Sequence, residues 1–137
     1  MVDQERVERL LDRLARDAAG LRALTRRDLL HDETALRAAK YDLVVLAEGA
    51  VRVAHHLVLS QGWPVAETGG EALRRLAAEG VVPPALAERL ARAVGLRNLL
   101  VHRYDDVDDT RVVTELRDVS AFDDFAAHVA AWLPTAR

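Results

Sequence analysis

Apolar residues recur every three or four positions from Val7 to Val58, and this spacing constrains the fold more than any other feature of the chain. It places the apolar side chains on one face of an α-helix, whereas a half-buried strand would require strict alternation. The pattern predicts a first helix over residues 3–30. A denser pattern predicts a second helix from about Glu33 to Ser60. Its apolar surface is wider than a single stripe, so we expect a central helix that packs on more than one side.

Capping and stop residues divide the rest of the chain into shorter helices. Gly62 and Pro64 are expected to end the central helix, and Thr68 stands at capping-box spacing from Glu71 for a short helix to about residue 78. A fourth helix begins near Pro84, another follows the acidic turn 105–110, and the last extends over residues 120–133. We therefore predict an all-α, up-and-down bundle of about five to six helices in a single domain, residues 1–137, without strands.

Composition limits the classes of function. The chain has no cysteine, which excludes disulfides and thiolate metal sites and is compatible with a reducing cytoplasm. Its N-terminal segment is charged every few residues and no apolar run approaches membrane-spanning length, so we expect a cytoplasmic location, no secretory leader and no membrane. Because the net charge is −3, RNA would have to bind a local arginine patch. The candidates for such a patch are Arg26, Arg27, Arg74, Arg75 and Arg103. Each of them is also explained as a residue on a solvated helix face.

One polar segment, residues 97–104 (RNLLVHRY), stands at the end of the fourth helix. The planar guanidinium of Arg97 suits a phosphate. A free histidine side chain has a pKa of about 6.5 and can accept or donate a proton at neutral pH, which makes His102 a candidate acid or base. Asn98 lies four residues before His102 and shares its helix face. Arg97 lies five residues before His102, so these two side chains converge only at a distorted helix end or across two subunits.

This segment resembles the R-x4-H-x-Y signature of HepT-like toxins, which belong to the HEPN superfamily of small helical ribonucleases. Arg97, His102 and Tyr104 match the signature, and an asparagine after the arginine, here Asn98, is typical of the family. The resemblance extends from about residue 3 to about residue 133. It includes four side chains of the predicted central helix: Tyr41, Glu48, His55 and His56.

The resemblance implies the toxin of a type VII toxin–antitoxin system: a homodimeric endoribonuclease that uses no metal or cofactor. The 2′-OH of a transfer or messenger RNA would be the nucleophile, His102 the general acid and base, and Arg97 the phosphate stabiliser. Asn98 would fix the histidine tautomer or touch the phosphate, and Glu48 would hold Arg97. The antitoxin, an MntA-like minimal nucleotidyltransferase, would transfer AMP from ATP to Tyr104 and so exclude RNA by charge and bulk.

Other interpretations of the same residues remain open. The alternative function is a catalytically silent HEPN module that serves as scaffold or substrate of a nucleotidyltransferase, and a third is a purely structural bundle. In a purely structural bundle, Arg97 would be a helix-end arginine and His102 a half-buried histidine. Tyr104 would then be an amphipathic rim residue. Glu48 lies either beside Arg97 or on a solvent edge.

We expect no metal site in this chain. His55 and His56 are adjacent, so on a helix they point about 100° apart and are poor joint ligands. The acidic turn 105–109 lacks the ligand ladder and closing glutamate of a calcium loop, and is better explained as a solvated turn that caps the next helix.

Overall fold

A computed structural model describes residues 2–136, in which all regular secondary structure is helical. No strand occurs in that range. The α-helices are α1 (Gln4–Thr25), α2 (Glu33–Gln61), α3 (Gly69–Ala78), α4 (Pro84–His102), α5 (Asp109–Leu116) and α6 (Ser120–Trp132). Short 3-10 turns follow α1, α4 and α6, at Leu29–His31, Tyr104–Asp106 and Leu133–Thr135. The predicted all-α bundle is confirmed.

The first helix ends earlier than its apolar spacing predicts, at Thr25 rather than near residue 30. The Thr25 hydroxyl donates to the Arg22 carbonyl, and the next backbone N–H groups bond three residues back, which tightens and closes the last turn. The chain then turns at Asp28, whose ψ is 85°. This turn directs Leu29 into the core, where it is buried.

Helix α2 lies at the centre of the bundle, as its wide apolar surface predicts. It contacts α1, α3, α4, α5 and α6. Asp32 caps its first turn by accepting from the Ala35 N–H at 3.1 Å, and Gly62 ends it with a φ of +69° that favours glycine. The predicted and observed boundaries differ by one residue at the C-terminal end.

The expectation that no apolar run approaches membrane-spanning length is wrong for α2. Within Glu33–Gln61 a window of 18 residues has a mean hydropathy of 1.4, and 44% of that window is buried inside the bundle. Helix α2 is this apolar because it packs against other helices on several sides, and each of those sides needs apolar residues.

The shorter helices begin with the caps that the sequence contains. Thr68 Oγ1 accepts from the Glu71 N–H at 3.1 Å, while the Glu71 carboxylate accepts from the Glu67 N–H at 3.0 Å. At the start of α3, a Cβ added to Gly69 would lie 2.6 Å from Cγ2 of Val51. Glycine at this position therefore permits α3 to approach α2 closely.

Helix α4 lies antiparallel to α2 and carries the polar segment along it. The middle of α4 contacts the middle of α2 through Arg97 and Glu48, and the turn after α4 reaches Lys40 near the start of α2. Helix α6 packs on α1 and α4 and closes the bundle. Helix α4 is thus held by α2, α3 and α6.

Candidate functional site

Arg97 is held at the α2–α4 contact by two acceptors. Its Nη2 donates to Oε1 of Glu48 at 2.7 Å, and its Nη1 donates to Oδ1 of Asn98 at 3.0 Å. The Arg97 side chain is 25% exposed and the Glu48 side chain 43%. Glu48 therefore combines both interpretations, because it is the partner of Arg97 and also lies at a solvent edge.

The Nε atom of Arg97 is buried and has no hydrogen-bond partner among the described residues. An unsatisfied buried donor costs about 1–3 kcal/mol. A small rotation of the guanidinium that brings Nε to an added acceptor would recover a comparable free energy. Arg97 therefore still has one donor, Nε–H, for a ligand.

A groove of about 600 Å³ opens beside this cluster. Its polar lining comes from α1, α2 and α4 and includes both adjacent histidines, His55 and His56. Nε2 of His56 accepts from the Asp3 N–H at 3.3 Å and so ties α2 to the start of α1. The charged and amide residues that line the groove are Arg6, Glu48, Arg52, Arg97 and Asn98.

His102 lies outside this groove, as the exposed last residue of α4. Helix α4 remains regular through His102, because the Arg103 N–H still bonds to the Leu99 carbonyl at 2.8 Å. Five residues of regular helix rotate the chain by about 140° beyond a full turn, and Arg97 and His102 therefore point to different sides of α4. Asn98 accepts from Arg97 through Oδ1, and no hydrogen bond between Asn98 and His102 occurs among the described residues. The structure brings Arg97, Asn98 and Glu48 together and leaves His102 apart.

Tyr104 occupies the 3-10 turn directly after α4 and is 51% exposed. Its ring lies below the ammonium of Lys40, with 4.8 Å between Nζ and the ring centroid. Lys40 Nζ also donates to Oδ1 of Asp109 at 2.7 Å. The ring is thus held against the bundle by a cation while one side of the residue faces solvent.

Lys40, the only lysine of the chain, is not among the predicted site residues. It is the one charged residue buried among the described residues. The sequence does contain a signal for it: a lysine at an apolar position of α2 is expected to be buried, and a buried charge requires an ion-pair partner. The partner lies 69 residues away in α5 and could not be identified from local spacing.

The carboxylates of the acidic turn are used within the chain. Asp106 accepts from Arg103 at 3.1 Å, Asp108 caps α5 by accepting from the Thr110 N–H at 3.0 Å, and Asp109 binds Lys40. Within residues 2–136, no group of three or more His, Asp or Glu side chains is arranged to hold a metal ion. The acidic turn is thus a cap and a set of ion pairs.

The arginines named as an RNA path are mostly paired with carboxylates. Arg27 binds Asp32 at 2.7 Å, and Arg74 binds both carboxylate oxygens of Glu88, which lowers the pKa of Glu88 and raises that of Arg74. Arg75 and Arg103 have carboxylate partners within their own helix or turn. None of these side chains lines the groove beside Arg97, so the solvated-face interpretation describes them better.

Large apolar side chains are exposed near His102. Leu99 and Val101 precede it on α4, and Tyr41 lies on the facing stretch of α2. Tyr41 is the most exposed of the three, at 68%. With Tyr104 they are exposed apolar side chains that surround the end of α4.

The family profile and the relatives that match this chain are all ribonucleases by name. A family profile described as "Ribonuclease HepT-like" matches residues 4–129. The chain is 36% identical over 83 residues to a protein of Archaeoglobus fulgidus named as a candidate RNase, an alignment that covers 59% of this chain and 61% of that protein. It is 33% identical over 70 residues to the tRNA nuclease HepT of Aphanizomenon flos-aquae, with 51% and 48% covered. The chain thus spans about half to three fifths of the curated relatives it matches.

The fold also matches solved structures. One is a tri-AMPylated HEPN toxin of Shewanella oneidensis in complex with an MNT antitoxin. The two chains superpose with a TM-score of 0.85 over 96% of this chain and 99% of the other, at 20% sequence identity. At this identity the superposition shows a shared fold.

Proposed function

This chain belongs to the HepT-like ribonuclease family, and from that membership we propose that it is the RNA-cleaving toxin of a cytoplasmic toxin–antitoxin pair. Arg97 carries the proposal. Its guanidinium lies at the edge of a groove, is oriented by Glu48 and Asn98, and retains a buried donor without a partner. This is the arrangement that a phosphate-stabilising arginine requires.

In the proposed reaction, an RNA 2′-oxygen attacks the adjacent phosphorus while its proton passes to His102. The bond from phosphorus to the 5′-oxygen breaks, and that oxygen takes a proton from a second imidazole. Arg97 stabilises the negative charge that grows on the phosphate oxygens. The expected products are a 2′,3′-cyclic phosphate and a 5′-hydroxyl, and no step draws on a metal ion.

We propose that this site is completed by a homodimer. Arg97 and His102 point to different sides of α4 in one chain, so a shared site needs a second copy. A two-fold contact through the apolar surface around the end of α4 would place both copies of His102 at one interface. This surface, which includes Leu99, Val101 and Tyr41, is exposed in the single chain.

We propose Tyr104 as the site of inactivation. Its phenolic oxygen attacks the α-phosphorus of ATP, the phenolic proton passes to a base, diphosphate leaves, and the tyrosine becomes an AMP ester. Exposure of Tyr104 makes it accessible to a nucleotidyltransferase antitoxin. The structurally similar toxin of Shewanella oneidensis is tri-AMPylated, which supports the assignment. The added phosphate, two residues from His102, would repel the RNA backbone.

The test is cleavage of transfer RNA and messenger RNA by the purified, unmodified chain in the presence of EDTA. We expect cleavage by the wild type and a loss of at least about 100-fold in His102→Ala, the range for removal of a general acid or base. His55→Ala is the matched control, because His55 lines the groove without being assigned to the chemistry. Equal cleavage by His102→Ala, or a larger loss in His55→Ala, would refute the assignment of His102.

A catalytically silent scaffold is the second candidate. It is favoured by the ion pair between Arg97 and Glu48, which neutralises the guanidinium in the single chain, and by the distance of His102 from this pair around the helix. A scaffold predicts normal growth when the chain is expressed without an antitoxin and intact mass confirms an unmodified Tyr104. Growth arrest under the same conditions indicates the toxin.

A further inference from the structure

A second groove adjoins the one beside Arg97. It has a volume of about 580 Å³, lies between α1 and α2, and shares Arg6, Glu48 and Arg52 with the first. The two are therefore parts of one continuous depression, which we call the arginine groove. Its charged side chains are Arg6, Arg9, Arg13, Arg16, Asp17, Glu48, Arg52 and Arg97.

The arginine groove is positive although the chain as a whole carries a net charge of −3. Six arginines and two carboxylates line it. Arg6, Arg16 and Arg52 are exposed and form no ion pair with any residue of the range 2–136. The other three, Arg9, Arg13 and Arg97, are paired with Glu5, Asp17 and Glu48. Three unpaired guanidinium groups beside these pairs leave positive charge that an anionic ligand would neutralise.

The arginines of α1 are arranged as a row. Arg6, Arg9, Arg13 and Arg16 recur at intervals of three and four residues, so they share one face of the helix. From Arg6 to Arg16 the helix rises about 15 Å, which is about four phosphates of a stacked strand at 3.4 Å each. The row therefore matches the repeat of a polyphosphate backbone better than a single small anion.

The lining also indicates how a strand would be bound. No Phe, Tyr or Trp lines either part of the groove among the described residues, so base stacking is restricted to the imidazoles of His55 and His56 in the first part. Each part has the volume of a small-ligand site, which fits the nucleotides of one strand and not a duplex. Contacts to phosphate alone give binding that is independent of base sequence.

We propose that the arginine groove binds the backbone of single-stranded RNA and leads it to Arg97. This inference rests on the proposed ribonuclease function, since it assigns the path of the substrate. Arg6 and Arg52 lie where the two parts of the groove meet and therefore contact the phosphates nearest to Arg97. Arg13 and Arg16 contact phosphates farther along the strand.

The salt dependence of binding tests this path. The probe is a fluorescent 2′-O-methyl oligouridine, which lacks the 2′-OH proton and is therefore bound without being cleaved. Each phosphate contact contributes about 0.7 to the slope of log K against log salt for single strands, so Arg6→Gln/Arg52→Gln should reduce the slope by about 1.4. At low salt the same variant should bind about tenfold more weakly, because two charge-assisted contacts are lost.

The matched control is Arg26→Gln/Arg117→Gln. It removes the same charge from two exposed arginines that lie outside the arginine groove and have no ion pair within the described range. We expect its slope to remain within experimental error of the wild type. Arg6→Lys/Arg52→Lys keeps both charges and should retain most of the slope, which separates loss of charge from loss of folding.

Equal slopes for the groove variant and the control variant would overturn the proposal. So would tighter binding of a duplex of the same length than of the single strand. Failure of the ribonuclease function gives a different result: the wild type binds the methylated probe with the full slope, the groove variant does not, and unmodified RNA remains intact.

Discussion

Replacing Asp109 with alanine should destabilise the fold more than replacing Lys40 with methionine, although both substitutions remove the same ion pair. The two side chains differ in burial, with 9% of Lys40 and 51% of Asp109 exposed. Loss of the carboxylate leaves a buried ammonium without a charge partner. Loss of the ammonium leaves a carboxylate that water already reaches.

The magnitude follows from this asymmetry. Removing one partner of a fully buried pair costs about 3–5 kcal/mol, and the half-exposed position of Asp109 reduces this to about 2 kcal/mol, because water can approach Lys40 from that side. Methionine keeps the packed aliphatic stem of Lys40 and loses a cation–π contact with Tyr104 of about 0.5–1 kcal/mol. The desolvation cost that it also removes offsets that loss.

Thermal denaturation converts these energies into a measurable shift. At about 2.1 cal/mol/K per residue, the unfolding entropy of the chain is about 0.3 kcal/mol/K, so Asp109→Ala should lower Tm by about 7 °C and Lys40→Met by less than about 3 °C. The double variant should resemble Lys40→Met. Asp105→Ala is the matched control, since Asp105 lies in the same turn and has no ion pair in the described range. A larger loss for Lys40→Met than for Asp109→Ala would refute the reasoning.

Three further outcomes are expected. Burial, and then the nearby Asp17, raise the pKa of Asp42. The charged form is penalised above that raised pKa, so Asp42→Asn should raise Tm at neutral pH, with the gain in melting scans shrinking as the pH falls. Gly69→Ala should cost about 1–3 kcal/mol in urea denaturation because its Cβ meets Val51, whereas Gly70→Ala faces the flexible end of Arg74 and should cost less. Glu48→Gln should lower kcat by about tenfold in RNA cleavage, since Arg97 loses its orienting partner; an unchanged kcat would count against that role.

The helices could be predicted from the sequence because their signals are local. Thr68 and Glu71 form the expected cap, and Gly62 ends α2 as predicted. The end of α1 was placed too late because Leu29 and Leu30 continue the apolar spacing while the backbone has already turned at Asp28. Apolar spacing shows which residues are buried, and it does not distinguish a helical residue from one in a turn that is also buried.

The site was predictable only in part. The signature contains Arg97, and the two positions predicted for Glu48, beside Arg97 or at a solvent edge, are combined in the structure. The Lys40–Asp109 pair and the arginine groove both depend on which helices become neighbours, so no local pattern contains them. The row of arginines on α1 is visible in the sequence as a polar face. This face lines a groove only because α2 lies beside α1 in the fold.

The regular geometry of α4, which turns Arg97 and His102 to different sides, has a consequence for mixed assemblies. In the proposed dimer the reaction uses the imidazoles of both chains, one as base and one as acid. A hybrid of one wild-type chain and one His102→Ala chain keeps a single imidazole, so it should be as inactive as a dimer of two variant chains. Random exchange between equal amounts of the two proteins should therefore about halve the rate, because a quarter of all dimers then have two intact imidazoles, compared with half before exchange.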